Sequence, residues 1–278
     1  MLRLASPLLS RSQLSLHLAH QSRPISIPSL FTYSPPSNHS SFVPRSPGQS
    51  TFAIGDVHGD LPKLVHALSA ASLIAPPAEG TPISEVKWTG GDAILVNTGD
   101  ILDRGSFECA CLALLAGLSR QAVQEGGGVV LLLGNHEVLN TLGLFNYSDK
   151  GGNEEFEATF GQFFDSLDGP NPNKADSADS ESTQDPSWRI HYAGNQPARW
   201  RAYETGGALS SWNCLSEFLL AANVGRSVFV HGGITATHLK EHGGIEKMNR
   251  ETKEWLERRY EPVMSTEEKL KVSRGGAL

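Results

Sequence analysis

Polar side chains that can bind metal ions follow four apolar, strand-like runs of the sequence. The glycine-flanked segments that end these runs are Gly55-Asp56-Val57-His58-Gly59, Gly99-Asp100 with Asp103-Arg104-Gly105, Gly134-Asn135-His136-Glu137, and His231-Gly232-Gly233. In α/β sheets, functional groups gather outside the carboxyl ends of the strands. We therefore expect the Asp, His and Asn side chains of these four segments to share one pocket.

The donor atoms of these side chains indicate which ions the pocket would hold. Carboxylate, amide and imidazole ligands suit manganese, iron or zinc better than an ion that prefers thiolates. One carboxylate can bridge two ions, and two ions ~3.5–4 Å apart can hold a phosphoryl group together with the oxygen that attacks it. The pattern therefore predicts a two-metal hydrolytic site in which Asn135 is a ligand and His136 faces the leaving group.

Each segment has a plainer interpretation when it is taken alone. An Asp-x-His or Asn-His-Glu sequence after a strand is more often structural, and His231 by itself could be a buried histidine bonded to a carbonyl. Four such segments, each glycine-flanked and each after an apolar run, favour the metal site over these separate explanations.

Strand-like and helix-like runs alternate from residue 51 onward, which indicates an α/β fold. The runs that begin as strands are 51–56, 93–100, 127–137 and 227–233. Helices are predicted at 61–72, 107–118, 153–167, 210–223 and 244–260, with a last short helix after the capping box Ser265–Glu268. The residues expected to form an aromatic core stripe are Phe156, Phe160, Phe163, Phe164 and Leu167.

Two stretches have compositions that do not build a core. Residues 1–50 contain no Asp or Glu, four Arg and thirteen Ser, which is typical of an organellar transit peptide, with a plain disordered tail as the alternative. Residues 168–186 are acidic and rich in Asp, Ser, Asn and Pro, and they are predicted to be a disordered loop. The predicted folded domain is 51–278, and the predicted location is an organelle.

Composition argues against several classes of function. The net charge is −7, and the four Arg of residues 1–50 leave −11 on the rest of the chain, so nucleic acid is not an expected partner. No run approaches the ~18 apolar residues of a membrane-spanning helix. Cys109, Cys111 and Cys214 are an odd, sparse set, which indicates reduced and buried thiols rather than disulfides.

The four segments together resemble the PPP class of metallophosphoesterases. The class pattern is GDxHG, GDxxDRG, GNHE and HGG, and this chain has GDVHG at 55–59, GDILDRG at 99–105, GNHE at 134–137 and HGG at 231–233. The surrounding GNHEVLN and VFVHGGI are similar to the Shewanella-like phosphatase branch. Together with the N-terminal stretch, they resemble the plastid-targeted plant form of that branch, so the predicted location is the plastid, with the mitochondrion as the alternative. The resemblance implies two mixed β-sheets packed as a sandwich with flanking helices, and a metal-dependent phosphatase acting on phosphoproteins.

The resemblance also implies a ligand set for two divalent ions. It places Asp56 and His58 on the first ion, Asp100 as the bridge, and Asn135 and His231 on the second. Manganese is the ion expected first, with iron and zinc as alternatives.

Three further residues receive catalytic roles from the resemblance. His136 would be the general acid on the leaving oxygen, supported by Asp103. Arg104 would contact the phosphate, where its planar fork suits two oxygens.

One metal ligand of the family has no counterpart in this sequence. Family members carry a further histidine near the C-terminus in a Gly-His-Thr stretch, whereas no histidine follows His242 here. The resemblance therefore predicts a chain lacking the C-terminal segment, a second ion with three protein ligands, and reduced activity, unless His238 or His242 substitutes.

Two other functions are compatible with the same residues. One is a related hydrolase of dinucleoside polyphosphates or small phosphoesters, and the other is a phosphoprotein-binding chain without turnover. The intact pair Asp103 and Arg104 favours phosphoprotein hydrolysis over the first alternative, and metal content would test the second.

Overall fold

Two three-stranded sheets form the centre of the computed structural model, which describes residues 30–36, 41–161, 196–203, 207–209 and 214–258. The strands in chain order are Phe42–Val43 (β1), Thr51–Ile54 (β2), Ile94–Asn97 (β3), Gly128–Leu131 (β4), Ala221–Val224 (β5) and Ser227–Val230 (β6). The first sheet has the order β2-β3-β4, and the second has the order β1-β5-β6. The two-sheet α/β architecture is confirmed.

Among the described strands, those of the second sheet run in mixed directions and those of the first are parallel, whereas both sheets were expected to be mixed. β2, β3 and β4 are all parallel. After each strand a helical crossover returns the chain to the end of the sheet at which that strand began, so the next strand runs in the same direction. In the second sheet β1 is parallel to β5, and β6 is antiparallel to β5 because a tight turn joins them.

Seven helices in the described residues flank the sheets. They are Leu61–Ala70 (α1), Glu108–Gln124 (α2), Asn135–Thr141 (α3), Lys150–Phe156 (α4), Pro197–Tyr203 (α5), Ala236–Glu241 (α6) and Ile245–Arg258 (α7). Asp60 caps α1 by accepting a hydrogen bond from the Lys63 N–H at 3.1 Å. Each described helix is too short or too polar to cross a membrane.

The first sheet has an apolar layer on each face, since successive side chains of a strand point in opposite directions. One face packs on α1 and α2 through Leu95, Val129 and Leu131, which belong to the main core. The other face meets the second sheet in a smaller cluster of Val43, Ile94, Val96, Val130, Leu132, Ala222 and Val224. The two sheets therefore pack face to face, as a sandwich requires.

The outer edge of β4 is covered by residues that are distant in sequence. The Tyr33 hydroxyl donates to the Val129 carbonyl at 2.7 Å and accepts from the Leu131 N–H at 3.3 Å. Further along, Leu219 forms a parallel bridge with Leu132. These contacts satisfy backbone groups that an exposed edge would leave unpaired.

Part of the stretch expected to lie outside the fold is packed into it. Phe31 and Tyr33 are buried, and β1 is hydrogen-bonded to β5. The boundary expected at residue 51 therefore leaves out packed residues, because the serine-rich composition of 1–50 conceals two aromatic anchors. Residues 1–29 and 37–40 lie outside the described part of the chain.

One predicted helix is wrong where it can be compared. The apolar spacing of 210–223 predicts a helix, but the described residues form a 3-10 turn at Leu215–Glu217 and then β5. Pairing with β1 and β6 outweighs the local pattern, since short apolar runs do not distinguish helix from strand.

The aromatic stripe is confirmed in its described part. Phe156 and Phe160 are both fully buried, in α4 and in the π turn Glu157–Gly161 that follows it. Phe163, Phe164, Leu167, the loop 168–186 and the capping box Ser265–Glu268 lie outside the described residues.

Candidate metal centre

The predicted ligands come together where the strands of both sheets end. Asp56 and His58 follow β2, Asp100 follows β3, and Asn135 begins α3 after β4. His231 directly follows β6 of the second sheet. All four polar segments therefore face one site, although the fourth reaches it from a different sheet.

The Asp100 carboxylate is the centre of this group. Its Oδ2 lies 3.8 Å from His58 Nε2, 3.4 Å from His231 Nε2 and 3.9 Å from His136 Nε2. Its Oδ1 accepts the His136 backbone N–H at 3.0 Å. A buried carboxylate among three imidazoles has the position that a bridging ligand needs.

Two triads of metal-binding atoms share Asp100. One consists of His58, Asp100 and His136, and the other of Asp56, Asp100 and His231, with the ligand atoms of each triad within 4.8 Å of one another. Asn135 Oδ1 lies 3.1 Å from His231 Nε2 and adds an oxygen donor beside the second triad. The donor set fits two hard or borderline divalent ions.

Backbone hydrogen bonds orient the imidazoles toward the centre. His58 Nδ1 lies 2.8 Å from the Leu102 carbonyl, and His231 Nδ1 lies 2.9 Å from the Thr98 carbonyl. Because a carbonyl only accepts, each Nδ1 carries its proton and each Nε2 points at Asp100. His231 is thus both the carbonyl-bonded histidine of the plain interpretation and a member of the ligand group.

The loops that carry the site are conformationally strained. His58, Asp100, Asp103 and Arg104 have φ values of 48°, 55°, 66° and 64°. Such left-handed conformations are uncommon for residues with a side chain and cost of order 1–3 kcal/mol each. These residues belong to two of the motif segments, so the strain lies where the ligands are presented.

Glu137 ties two of these loops together, a role that the sequence analysis did not assign. Its carboxylate accepts the N–H groups of Asp100 and Gly134 through Oε2, and that of Ile101 through Oε1, all at 2.8 Å. Burial raises the pKa of Glu137 to about 7, and the Asp100 charge adds to this effect while the N–H donors oppose it. Glu137 is the last residue of the GNHE motif, and this position in the motif was the sequence signal that could have identified it.

Both ring nitrogens of His136 have close polar contacts. Its Nδ1 lies 2.7 Å from Asp103 Oδ2, and its Nε2 lies 3.2 Å from Arg104 Nη2. The Tyr147 ring packs edge-on against His136 with ring centroids 5.1 Å apart, and Arg104 lies over the same ring. Tyr147 has no recognisable motif, which is why sequence reasoning missed it.

Arg199 of α5 is a further functional candidate that sequence reasoning missed. Its Nη2 donates to Asp103 Oδ1 and Glu108 Oε2, both at 2.7 Å, and its side chain is buried. Arg199 is 96 residues from Asp103 in the chain, so no local pattern connects the two.

The charges at the centre shift the pKa values of two predicted ligands. The hydrogen bond with Asp100 raises the pKa of His231 to about 9, although burial opposes the shift. Burial alone would raise the pKa of Asp100, but the hydrogen bonds from His231 and from the His136 N–H outweigh it and lower that pKa. A cation that replaces the His231 proton would meet an ionised carboxylate.

The suggested substitutes for the missing family histidine have other contacts. His238 Nδ1 lies 3.4 Å from the Thr235 N–H in the N-cap of α6, and His242 Nδ1 lies 3.6 Å from Glu251 of α7. The described contacts therefore place neither histidine beside Asp100.

Candidate metal ligands gathered at the strand ends of a two-sheet sandwich are the arrangement expected of a metallophosphoesterase. Residues 50–272 match the calcineurin-like phosphoesterase family, and the chain belongs to that family. The match covers all four motif segments.

Curated relatives agree with this assignment, and a solved structure shares the fold. Shewanella-like protein phosphatase 2 of Arabidopsis thaliana is 35% identical over 209 residues, which cover 73% of this chain and 51% of the relative. Shewanella-like protein phosphatase 1 of Plasmodium berghei is 37% identical over 95 residues, covering 34% of this chain and 24% of the relative. The cold-active protein-tyrosine phosphatase of a psychrophilic Shewanella species matches with a TM-score of 0.53 and 18% identity, covering 87% of this chain and 55% of that one.

The matched proteins are longer than this chain. It spans about half the length of the Arabidopsis relative and of the Shewanella phosphatase.

Proposed function

We propose that this chain is a metal-dependent phosphoprotein phosphatase that hydrolyses phosphomonoesters by in-line attack of a hydroxide, without a covalent intermediate. The observation that carries the proposal is Asp100, whose Oδ2 faces three imidazole Nε2 atoms at 3.4 to 3.9 Å. The names of the curated relatives support phosphoproteins as the substrate class.

The residues present fit two divalent ions, with manganese expected first and iron or zinc as alternatives. Asp56 and His58 would hold one ion, Asn135 and His231 the other, and Asp100 both. If bound there, such ions would lower the pKa of a water from ~15.7 toward ~7 and neutralise charge on the phosphoryl group.

His136 is proposed to protonate the leaving oxygen. Asp103 accepts the proton on Nδ1 at 2.7 Å, which leaves Nε2 directed into the site. A positioned general acid of this kind contributes ~10²–10⁴-fold to the rate.

Arg104 is proposed to bind the phosphate. It is exposed at the site, and its Nη2 is 3.2 Å from His136 Nε2. A guanidinium in that position can donate two parallel hydrogen bonds to phosphate oxygens while His136 faces the ester oxygen.

The cysteines do not supply an alternative nucleophile. Cys109, Cys111 and Cys214 are buried, and burial raises the pKa of all three thiols. A reactive cysteine needs the opposite, a lowered pKa and access to solvent. This supports direct attack on phosphorus.

A substrate comparison with purified chain tests the proposal. Metal-stripped protein is reloaded with manganese. It is then assayed separately with diadenosine tetraphosphate and with three versions of one peptide, phosphorylated on Ser, Thr or Tyr. We expect metal-dependent release of phosphate from at least one peptide, and none after chelation. Faster hydrolysis of diadenosine tetraphosphate would favour the small-substrate alternative, and metal binding without any turnover would favour a phosphoprotein-binding chain.

Import into plastids, with mitochondria as the alternative, is a separate proposal supported by the acid-free, serine-rich N-terminal stretch. A fusion of residues 1–60 to a fluorescent protein tests it. A diffuse cytosolic signal in plant cells would contradict it.

A further inference from the structure

Arg199 is a buried cation whose donors are all directed at named acceptors. Nη1 donates to Glu108 Oε1 at 2.9 Å and to Asn153 Oδ1 at 3.2 Å. Nη2 donates to Asp103 Oδ1 and Glu108 Oε2 at 2.7 Å, and Nε donates to Asn140 Oδ1 at 2.9 Å. A guanidinium has five N–H groups, so no donor is left to contact a substrate.

Apolar packing fixes the plane of this guanidinium. The Arg199 guanidinium carbon lies 4.5 Å from the Phe156 ring centroid and 5.3 Å from that of Phe145. Arg199 is 1% exposed. A side chain held on its edges by hydrogen bonds and on its faces by rings has a single orientation.

Asp103 links Arg199 to the proposed proton donor. One carboxylate oxygen accepts from Arg199, and the other lies 2.7 Å from His136 Nδ1. The Asp103 backbone N–H donates to Glu108 at 2.7 Å, and its φ is 66°. Arg199 and Glu108 together fix both the carboxylate and the strained backbone that carries it.

We propose that Arg199 is a positioning residue for proton donation, holding Asp103 so that His136 presents its Nε2 to the leaving oxygen. This inference rests on the proposed phosphatase function and extends it to a residue outside the four motif segments. Without Arg199, Asp103 Oδ1 would be a buried acceptor that lacks its partner and is free to rotate away from His136.

The role predicts an effect that depends on the leaving group. Phenyl phosphate and p-nitrophenyl phosphate have nearly the same shape, but nitrophenolate leaves readily as an anion and needs little protonation. Misplacing His136 therefore slows phenyl phosphate much more than p-nitrophenyl phosphate. A merely structural defect slows both equally, since it lowers the amount of active protein.

The test compares Arg199→Lys with wild type on both esters, using the full chain loaded with manganese. Lysine keeps the charge but cannot bridge Asp103 and Glu108 with a planar fork. We expect kcat for phenyl phosphate to fall ~10–100-fold, part of the ~10²–10⁴-fold that a general acid supplies. The expected change in kcat for p-nitrophenyl phosphate is several times smaller, with KM little changed for either ester.

Glu155→Gln is the matched control. Glu155 is another buried carboxylate, which accepts the Cys109 and Ala110 N–H groups at 2.7 and 3.0 Å. No hydrogen bond in the described residues joins it to Arg199 or Asp103. We expect a lower melting temperature but the wild-type ratio of the two kcat values.

Proton NMR gives a readout that does not need turnover. The short bond from His136 Nδ1 to Asp103 predicts a low-field imidazole proton resonance, which we expect to move upfield or vanish in Arg199→Lys. Glu108→Gln is a second variant, and it should give the same change.

These results separate the two proposals. If wild type hydrolyses neither ester, the proposed function fails while the NMR comparison still tests Arg199. Equal losses on both esters, or an unchanged His136 resonance in both variants, would overturn the positioning role.

Discussion

The two sheets differ in how they contribute to the site. The parallel sheet is built from strands within residues 51–131, and its strand ends supply Asp56, His58, Asp100 and Asn135. The mixed sheet is built from residues 42–43 and 221–230, which are far apart in sequence, and its β6 is followed by His231 alone.

The difference separates the choice of ligands from their placement. In the parallel sheet the predicted ligands come soon after the ends of β2, β3 and β4, so sequence order and sheet register place them. His231 depends instead on contacts between sheets, namely its 2.9 Å approach to the Thr98 carbonyl and the bridge between Leu132 and Leu219. The ligand motifs can be recognised in the local sequence, but the packing that brings His231 to the other predicted ligands cannot.

Removing the shared carboxylate should have the largest effect, because Asp100 belongs to both triads. We expect Asp100→Asn to lose both ions and to reduce phosphopeptide turnover by more than the ~10²–10⁴-fold of a general acid. Metal analysis of the purified variant checks this directly. Retention of two ions would show that Asp100 is not a bridge.

His136→Asn should separate catalysis from metal binding. If His136 donates a proton, the variant loses ~10²–10⁴-fold in rate but keeps its ions. His136 also belongs to a triad with His58 and Asp100, in which it would be a ligand instead. A parallel fall in metal content and activity would establish that second role and contradict the first.

More of the candidate site than of the packing could be predicted from the sequence. The predicted metal ligands follow β2, β3, β4 and β6, and a strand end is a local signal. The β4 edge contact of Tyr33 and the Asp103 contact of Arg199 join positions about 96 residues apart. Hydrophobic periodicity gives no information about such long-range pairs. The strand β5 was missed because its residues lie in an apolar run whose spacing also fits a helix.

The N-terminal aromatic anchors, which precede β1 of the second sheet but pack in the main core, give a test of stability. Phe31 is 2% exposed and stacks on Phe160 with centroids 5.5 Å apart. We expect Phe31→Ala to lower the free energy of unfolding by ~3–5 kcal/mol, as for other buried phenylalanines. Denaturant unfolding of the full chain measures it.

Phe42→Ala is the control for that prediction. Phe42 is 46% exposed on β1, and we expect a loss of less than ~1 kcal/mol. A loss of unfolding free energy in Phe31→Ala as small as that in Phe42→Ala would show that residues 30–36 are not part of the folded domain.

The smallest expected effect concerns His231, the predicted ligand that follows a strand of the second sheet, and it depends on pH. The hydrogen bond with Asp100 raises the pKa of His231 to about 9 in the metal-free chain. A raised histidine pKa stabilises the metal-free fold fully below the unfolded value of ~6.5, and this stability is lost as the pH rises through about 9.

The same proton must leave before Nε2 can bind a cation, so metal affinity should change in the opposite direction and increase ~10-fold per pH unit below 9. Manganese titrations at pH 7 and pH 8 measure this increase. His231→Asn should abolish it, and His238→Asn, at an exposed histidine capping α6, should leave it intact. An increase of the same size in His231→Asn would assign the released proton to another group and remove His231 from the centre.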